Sequence, residues 1–494
     1  MDLRQWYADG YAQDAWRLTT TTTLTYGLRY EFMSPLVDIR YTNSNLDLKS
    51  GTPQAFIGGQ NGYPKGLMYA NHTNFAPRLG LAQSIPHLGV VAHVAYGVFY
   101  TPVDMNTWCN QRHNVPYVFP MTSQSDPYNL PGSAPTLPGT PIGLNFPAPV
   151  LGTTVVSFTT LQLRAPAQYI QQWSTSLEKQ LGRATTVELG YLGAGGFHLQ
   201  RSHLINNAQP GPGLIQPRRP HPKISFVDNT VFPSNVNVSS STFPVSTINL
   251  LENTSQSWYD AGYVNVRQRY SNGLSFLANY TFAKALENAP DFRSPMFEAA
   301  TPQNNDDLNA EKGPGCDVKH RFALSAVYSS HAMGSNRLMQ TLSRDWRGSM
   351  VFQAQTGFPL TISVFGDTAN AGTVVGENPI RANLTGQKIF GSGTRNSTTW
   401  FNPKAFAAPP AYTYGNSGRN SVYGPGMQTM DLGIVREFPM AEKARFEARA
   451  EFFNALNHTN LGTPNRFVNT SSFGSITEVS SPGREIQLSA RISF

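Results

Sequence analysis

Few side chains in this sequence are spaced for reaction chemistry. His198 and His203 lie five positions apart, which turns them to opposite sides of a strand and to different faces of a helix, so they do not converge on a metal. His320 and His331 have no carboxylate or cysteine at ligand spacing. The glycine-rich run Gly193–Gly196 is not followed by a helix-forming segment, so it reads as a bend or strand end rather than a phosphate cradle. No nucleophile elbow and no catalytic carboxylate pair is present. These residues predict a protein that is not an enzyme and uses no cofactor and no metal. The regularly spaced charges are Arg445, Glu447, Arg449 and Glu451. At every second position they share one face of an extended strand. They form a charge ladder whose first reading is structural, as cross-strand ion pairing. Steering of a charged substrate is the functional alternative. Arg484, Glu485 and Arg491 read the same way, and Asp317 with Arg321 reads as an anchor where a strand begins. Cys109 and Cys316 allow one disulfide and exclude a cysteine-rich metal site.

Composition says what must position these residues. Of 494 residues only 14% are charged, against about 25% in an ordinary globular domain, while 12% are aromatic. Mean hydropathy is −0.31, and the Leu79–Val103 stretch is interrupted by Gln83, Ser84, Pro86, His87 and His93, so no membrane-crossing helix is predicted. The aromatic content excludes a disordered chain. The net charge of +7 is spread without a run of five like charges, which leaves no phosphate footprint and predicts no nucleic-acid partner. The opening MDLRQWYADG has no basic segment followed by an apolar one, so no signal peptide is read there.

Alternation resolves the charge shortfall. In Arg484–Phe494, Ile486, Leu488, Ala490, Ile492 and Phe494 share one side and polar residues the other; Ala444–Phe452, Leu274–Phe282 and Thr23–Tyr30 repeat the pattern. Thirteen strands are predicted, near 10–16, 22–32, 74–84, 90–100, 168–180, 184–193, 257–270, 274–283, 319–329, 345–356, 427–436, 442–454 and 484–494. Their connections alternate between brief turns (such as Ser271–Gly273) and extended loops (33–73, 101–167, 194–256, 284–318, 357–426 and 455–483). Soluble sandwiches have no reason to lengthen every second loop. Short periplasmic turns and long extracellular loops belong to an antiparallel transmembrane β-barrel, and that all-β class is the expected fold. The loops read as exposed and irregular, with nine prolines between Pro116 and Pro149, and Cys109 and Cys316 both fall in them. Aromatics near strand ends (Trp6, Tyr7, Trp16, Tyr30, Phe32, Tyr100, Trp173, Tyr191, Trp258 and Trp346) suit interfacial girdles. Thirteen is odd, whereas single-chain bacterial barrels are even-stranded, so residues 1–494 are expected to be the C-terminal part of one larger barrel domain.

Several blocks then resemble a known family. YADGYAQDAWRLTTTTTLTYGLRYEF (Tyr7–Phe32), NFAPRLGLA (Asn74–Ala82), GPGCDVKHRFALSAVY (Gly313–Tyr328), QTGFPLTI (Gln355–Ile362), WFNPKAFAAP (Trp400–Pro409), GNSGRNSVYGPGMQTMDLGIVREFPM (Gly415–Met440), ARFEARAEFFNALNHTNLGTPN (Ala444–Asn465) and REIQLSARISF (Arg484–Phe494) are similar to the barrel of TonB-dependent outer-membrane receptors, more narrowly the Oar-like group. Cys316 departs from that pattern. The resemblance implies a barrel of about 22 strands, of which these residues supply the last thirteen. It also implies energy-dependent uptake of an unspecified substrate through a plug, a TonB box and a carboxypeptidase-regulatory-like domain, none of which is found here, so the segment alone is expected to be inactive. The TonB complex is accordingly a partner only through those missing upstream segments. The other expected partners are outer-membrane lipid and lipopolysaccharide, and the barrel-assembly machinery, whose recognition signal the C-terminal aromatic Phe494 resembles. A non-transporting surface or adhesion barrel and a soluble β-rich binding module are the alternative readings.

Overall fold

The computed structural model describes residues 2–102, 104–118, 150–151, 155–227, 237–238, 242–289, 298–332, 336–373, 378–440 and 444–494. All thirteen predicted strands form. They are β1 (Tyr7–Arg17), β2 (Thr22–Met33), β3 (Phe75–Ile85), β4 (Val90–Tyr100), β5 (Tyr169–Leu181), β6 (Thr185–Leu204), β7 (Thr242–Ser271), β8 (Leu274–Glu287), β9 (His320–Ser329), β10 (Trp346–Gln355), β11 (Met427–Pro439), β12 (Arg445–Phe453) and β13 (Glu485–Ser493). Each pairs antiparallel with its sequence neighbour, giving one meandering wall. Among the described residues β1 and β13 do not pair with each other, so the sheet is open.

Register sorts the side chains into two faces. Leu177, Leu189, Val264, Tyr280, Phe322 and Ala354 are successive cross-strand partners and form one apolar row. One residue along, Glu178, Glu188, Asn265 and Asn279 are likewise partners and form a polar row. The apolar row is bare: Leu177 is 51% exposed and Leu189 53%. A soluble sandwich would bury such a face under a second sheet, so that alternative fails. Except for Trp6, which precedes β1, and Tyr7, the predicted girdle aromatics lie on the apolar face. Tyr7 turns to the polar face and donates a hydrogen bond to Glu31 at 3.2 Å.

At one end the connections are tight. Between β7 and β8 only Asn272 and Gly273 intervene, both at positive φ (51° and 83°), which is the Asn-Gly two-residue turn that matches strand twist. The β9–β10 turn carries a short helix, Arg337–Ser343, whose first turn is capped by Asn336 accepting from the Met339 amide at 2.8 Å.

At the other end the long loops do not stay irregular. β6 and β7 run 20 and 30 residues, well beyond the 9–11 or so that cross a bilayer. The pairing shifts register between Gly196 and Leu199, where His198 takes φ of 54°, and then resumes to Leu204 and Asn249. Above that bulge, Ser44–Asp47, Gln54–Ile57, Val156–Leu161 and Lys223–Phe226 join the start of β7 in a small sheet. Leu46, Phe158, Ile224, Phe243 and Ile248 form its core and are essentially inaccessible. A second core gathers Leu360, Ile362, Phe401, Phe406 and Val422 from the β10–β11 loop with Val468 and Phe473 from the β12–β13 loop. The expectation of exposed, irregular loops is corrected on this point: their apolar residues are numerous enough to pack on one another and leave water. Most of the proline-rich 116–149 stretch lies outside the described residues.

Candidate functional site

Two regions hold the chemistry-bearing side chains: the polar face of the wall and the folded cap. On the wall, Glu188 accepts hydrogen bonds from the Tyr263 hydroxyl at 2.7 Å and from Asn265 at 3.1 Å, and Asn279 donates to Asn265, so neighbouring strands are laced together on that side. Nearer the long loops, Arg29 binds Asp9 at 3.0 Å and Glu31 at 2.8 Å.

The charge ladder lies on this same polar face, toward the tight-turn end of β12. Arg449 reaches Glu447 at 3.3 Å and Glu451 at 3.5 Å along its own strand. Arg445 meets Glu437 of β11 at 3.5 Å, and Glu437 is also held by Arg347 of β10 at 2.6 Å. Glu447 stands opposite Arg491 in the β12–β13 register. Arg445 is exposed and Arg449 half-exposed, so each pair contributes no more than about 1 kcal/mol.

The denser charged cluster is in the cap. Arg419 donates from Nη1 to both oxygens of Glu298 (3.1 and 3.0 Å) and to Glu287 at 3.1 Å. Its Nε reaches the Glu311 carbonyl at 2.8 Å and its Nη2 the Glu287 carbonyl at 3.0 Å. Arg381 binds the Glu311 carboxylate at 2.5 Å. Arg466 donates to Ser363 at 2.9 Å and faces Glu298 electrostatically. Glu287 closes β8, Glu298 and Glu311 sit in the β8–β9 loop, Arg381 and Arg419 in the β10–β11 loop, and Arg466 in the β12–β13 loop, so the cluster ties three loops together. Burial dominates its protonation: it pushes the Glu298 carboxyl up to about 7 against the pull of Arg419, raises Glu311 against the pull of Arg381, and lowers the Arg466 guanidinium to about 10. The cluster can therefore take up a proton near neutral pH at a point where loops are joined. Sequence reading missed it because its members are scattered from 287 to 466 with no spacing motif; buried arginines in a charge-poor chain were the available signal.

The remaining candidates are dispersed. Asp317 is buried, accepts from the Ala285 amide at 2.8 Å and from the Tyr423 hydroxyl at 2.5 Å, and so pins the start of β9, while Arg321 projects on the polar face opposite Gln355. His203 bonds Glu252 at 2.9 Å beside Arg201, and no cluster of three or more His, Cys, Asp or Glu side chains suited to a metal occurs among the described residues. Cys109 lies in a short helix after β4 and Cys316 just before β9, and no disulfide joins them. Phe494 follows β13 and is almost wholly exposed.

An antiparallel wall with one bare apolar face, one polar face, tight turns below and capped loops above defines an outer-membrane-type barrel wall. The sequence profile described as outer membrane beta barrel domain matches residues 1–487, and the chain belongs to that family, which places it in the bacterial outer membrane. A search among curated proteins returned no match. Similar solved structures include the outer membrane transporter YddB from Escherichia coli (TM-score 0.48, 10% identity, 99% of this chain and 54% of that one). The FrpB iron transporter from Neisseria meningitidis, F3-3 variant (0.41, 11%, 99% and 45%), and the copper transporter OprC (0.43, 7%, 100% and 48%) are further examples. The chain spans about half the length of each of these proteins.

Proposed function

We propose that this chain is the membrane wall of an energy-coupled uptake transporter of the TonB-dependent, Oar-like kind, with its polar face lining the passage. The observation that carries this reading is the pair of parallel rows across the wall, Leu177 to Ala354 apolar and Glu178 to Asn279 polar, which gives lipid one side and water the other. In this reading the apolar face meets lipid and lipopolysaccharide, Phe494 addresses the assembly machinery, and coupling to the TonB complex runs through a plug and TonB box upstream of these residues. The wall alone does not transport. The folded cap favours a second reading, a surface or adhesion barrel that presents its loops without moving a substrate.

Water access decides the central point. In a background with Cys109→Ser and Cys316→Ser, a membrane-impermeant maleimide is expected to label Asn279→Cys in outer-membrane preparations and to spare Tyr280→Cys. Equal labelling at the two positions refutes a water-lined passage. A reading frame without an upstream plug and TonB box leaves the surface reading in its place.

A further inference from the structure

On the polar face, where β3 to β7 approach the cap, the wall holds a cavity of about 380 Å³. Its floor exists because the residues there are small. Gly97 stands between Arg78 and Gln172 in register, and Ala194 between Gln172 and Tyr259, so one cross-strand row alternates large and small side chains. Phe99 lies over Gly97 so closely that a Cβ there would come within 2.9 Å of its ring. Phe99, Leu192 and Tyr259 give the cavity apolar and aromatic walls, each more than a third exposed.

One group in this lining is out of balance. The Arg78 guanidinium rests on the Phe99 ring at 5.1 Å, and its Nε is buried with no hydrogen-bond partner. Arg78 enters no ion pair among the described residues, and no carboxylate lines the cavity. Asp9 and Glu31, on the same face, are held by Arg29. A partly desolvated guanidinium with unspent donors favours an anion, and best a planar one that accepts from its fork. The aromatic walls favour a ring. The volume, near the lower end of the roughly 300–1,000 Å³ range of ligand pockets, limits that ligand to a small molecule or one end of a larger one.

We propose that this cavity binds an aromatic carboxylate, with its ring against Phe99 and Tyr259 and its carboxylate on Arg78. The site rests on the polar face being the water-filled side of the wall. A cation would find no counter-charge here, and a neutral aromatic would leave the guanidinium uncompensated.

The test is equilibrium dialysis of the full chain in detergent micelles against radiolabelled 4-hydroxybenzoate, with protein-free micelles as the blank. Saturable binding is expected, weakened at least tenfold in Arg78→Gln and at least tenfold for 4-hydroxybenzyl alcohol, which keeps the ring and loses the charge. Arg78→Lys keeps the charge but not the fork and is expected to fall between. Absence of saturable binding, equal binding of the alcohol, or an unaffected Arg78→Gln variant overturns the proposal. Should Arg78→Gln fail to fold by circular dichroism, the acid-against-alcohol comparison on the unaltered chain and the loss expected in Phe99→Leu decide the matter. Maleimide labelling at position 279 is a separate readout, so failure of the water-lined passage and failure of this site are distinguishable.

Discussion

Replacing Glu298 with glutamine tests whether the buried cluster makes the cap sensitive to pH. The carboxyl sits at about 7 in the folded cap and near 4.5 when exposed to water, because burial outweighs its two bonds to Arg419. A raised acid means that folding takes up a proton between those two values. The stabilisation is fully present below about 4.5, declines as pH rises through about 7, and is flat above. A difference of about 2.5 pH units corresponds to about 3 kcal/mol across that window. Other charges face the same spot: Arg419 in direct contact, Glu287 and the Glu311 backbone through Arg419, Arg381 through the Glu311 carboxylate, and Arg466 from the β12–β13 loop. Glu311 is displaced in the same direction and adds to the slope. Glutamine preserves the shape of Glu298 but cannot titrate, and Arg419 keeps Glu287. The assay is amide hydrogen exchange of residues 298–315 and 413–420 at pH 5, 6, 7 and 8, corrected for intrinsic exchange. Protection in the unaltered protein is expected to fall with rising pH, and the Glu298→Gln slope to be at most about half as steep. A flat profile in the unaltered protein, or the same slope in the variant, refutes the reasoning.

Two further outcomes follow from the wall. Leu189→Arg places a charge in the apolar row and is expected to cost about 2–4 kcal/mol of barrel stability, whereas Gly80→Ser, on the polar face of β3 where an added Cβ meets only Thr25 at 3.7 Å, is expected to cost much less; urea titration in lipid vesicles measures both, and equal costs would refute the assignment of faces. Deletion of Phe494, which packs on nothing, is expected to leave stability unchanged but to lower the yield of heat-modifiable barrel in cells; an unchanged yield removes its role in assembly.

Why the wall was legible and the cap was not follows from solvent. Along Leu274–Phe282 every second residue lies on the apolar face and the rest on the polar one, so the period of two is written into composition, and Asn272–Gly273 marks the turn unmistakably. The reading of β6 stopped at residue 193 and that of β7 began at 257, close to the bulge where register shifts. Beyond it Arg201, Ser202, Asn253 and Ser255 are buried although polar, because both sides of the ribbon are covered by protein, and a strand covered on both sides keeps no alternation to read. The cap core draws Leu46, Phe158 and Ile224 from three separate loops and Phe243 from the start of β7, and only the three-dimensional path brings them together. The charge ladder was found because it is local; the Arg419 cluster was not, because it is not.

The low charge content thus has two causes that act in different places. In the wall, half of each strand faces lipid, where a charge is costly, so charges are confined to the alternate positions and to the ends. In the cap, protein replaces water around polar groups, and buried charges there are either ion-paired, as Arg419 is with Glu287 and Glu298 and Arg201 is with Glu252, or held by neutral hydrogen-bond donors, as Asp317 is by the Ala285 amide and the Tyr423 hydroxyl. Buried pairs of this kind add little net stability compared with apolar packing, and where burial outweighs the pairing, as at Glu298, it is the charged form that strains the latch. A cap held by the Leu46–Phe243 and Leu360–Phe401 cores and latched by such pairs can loosen at the latch while the cores stay folded. Change in the β8–β9 and β10–β11 loops is therefore expected to be local, starting at Glu298, with the wall beneath it unmoved.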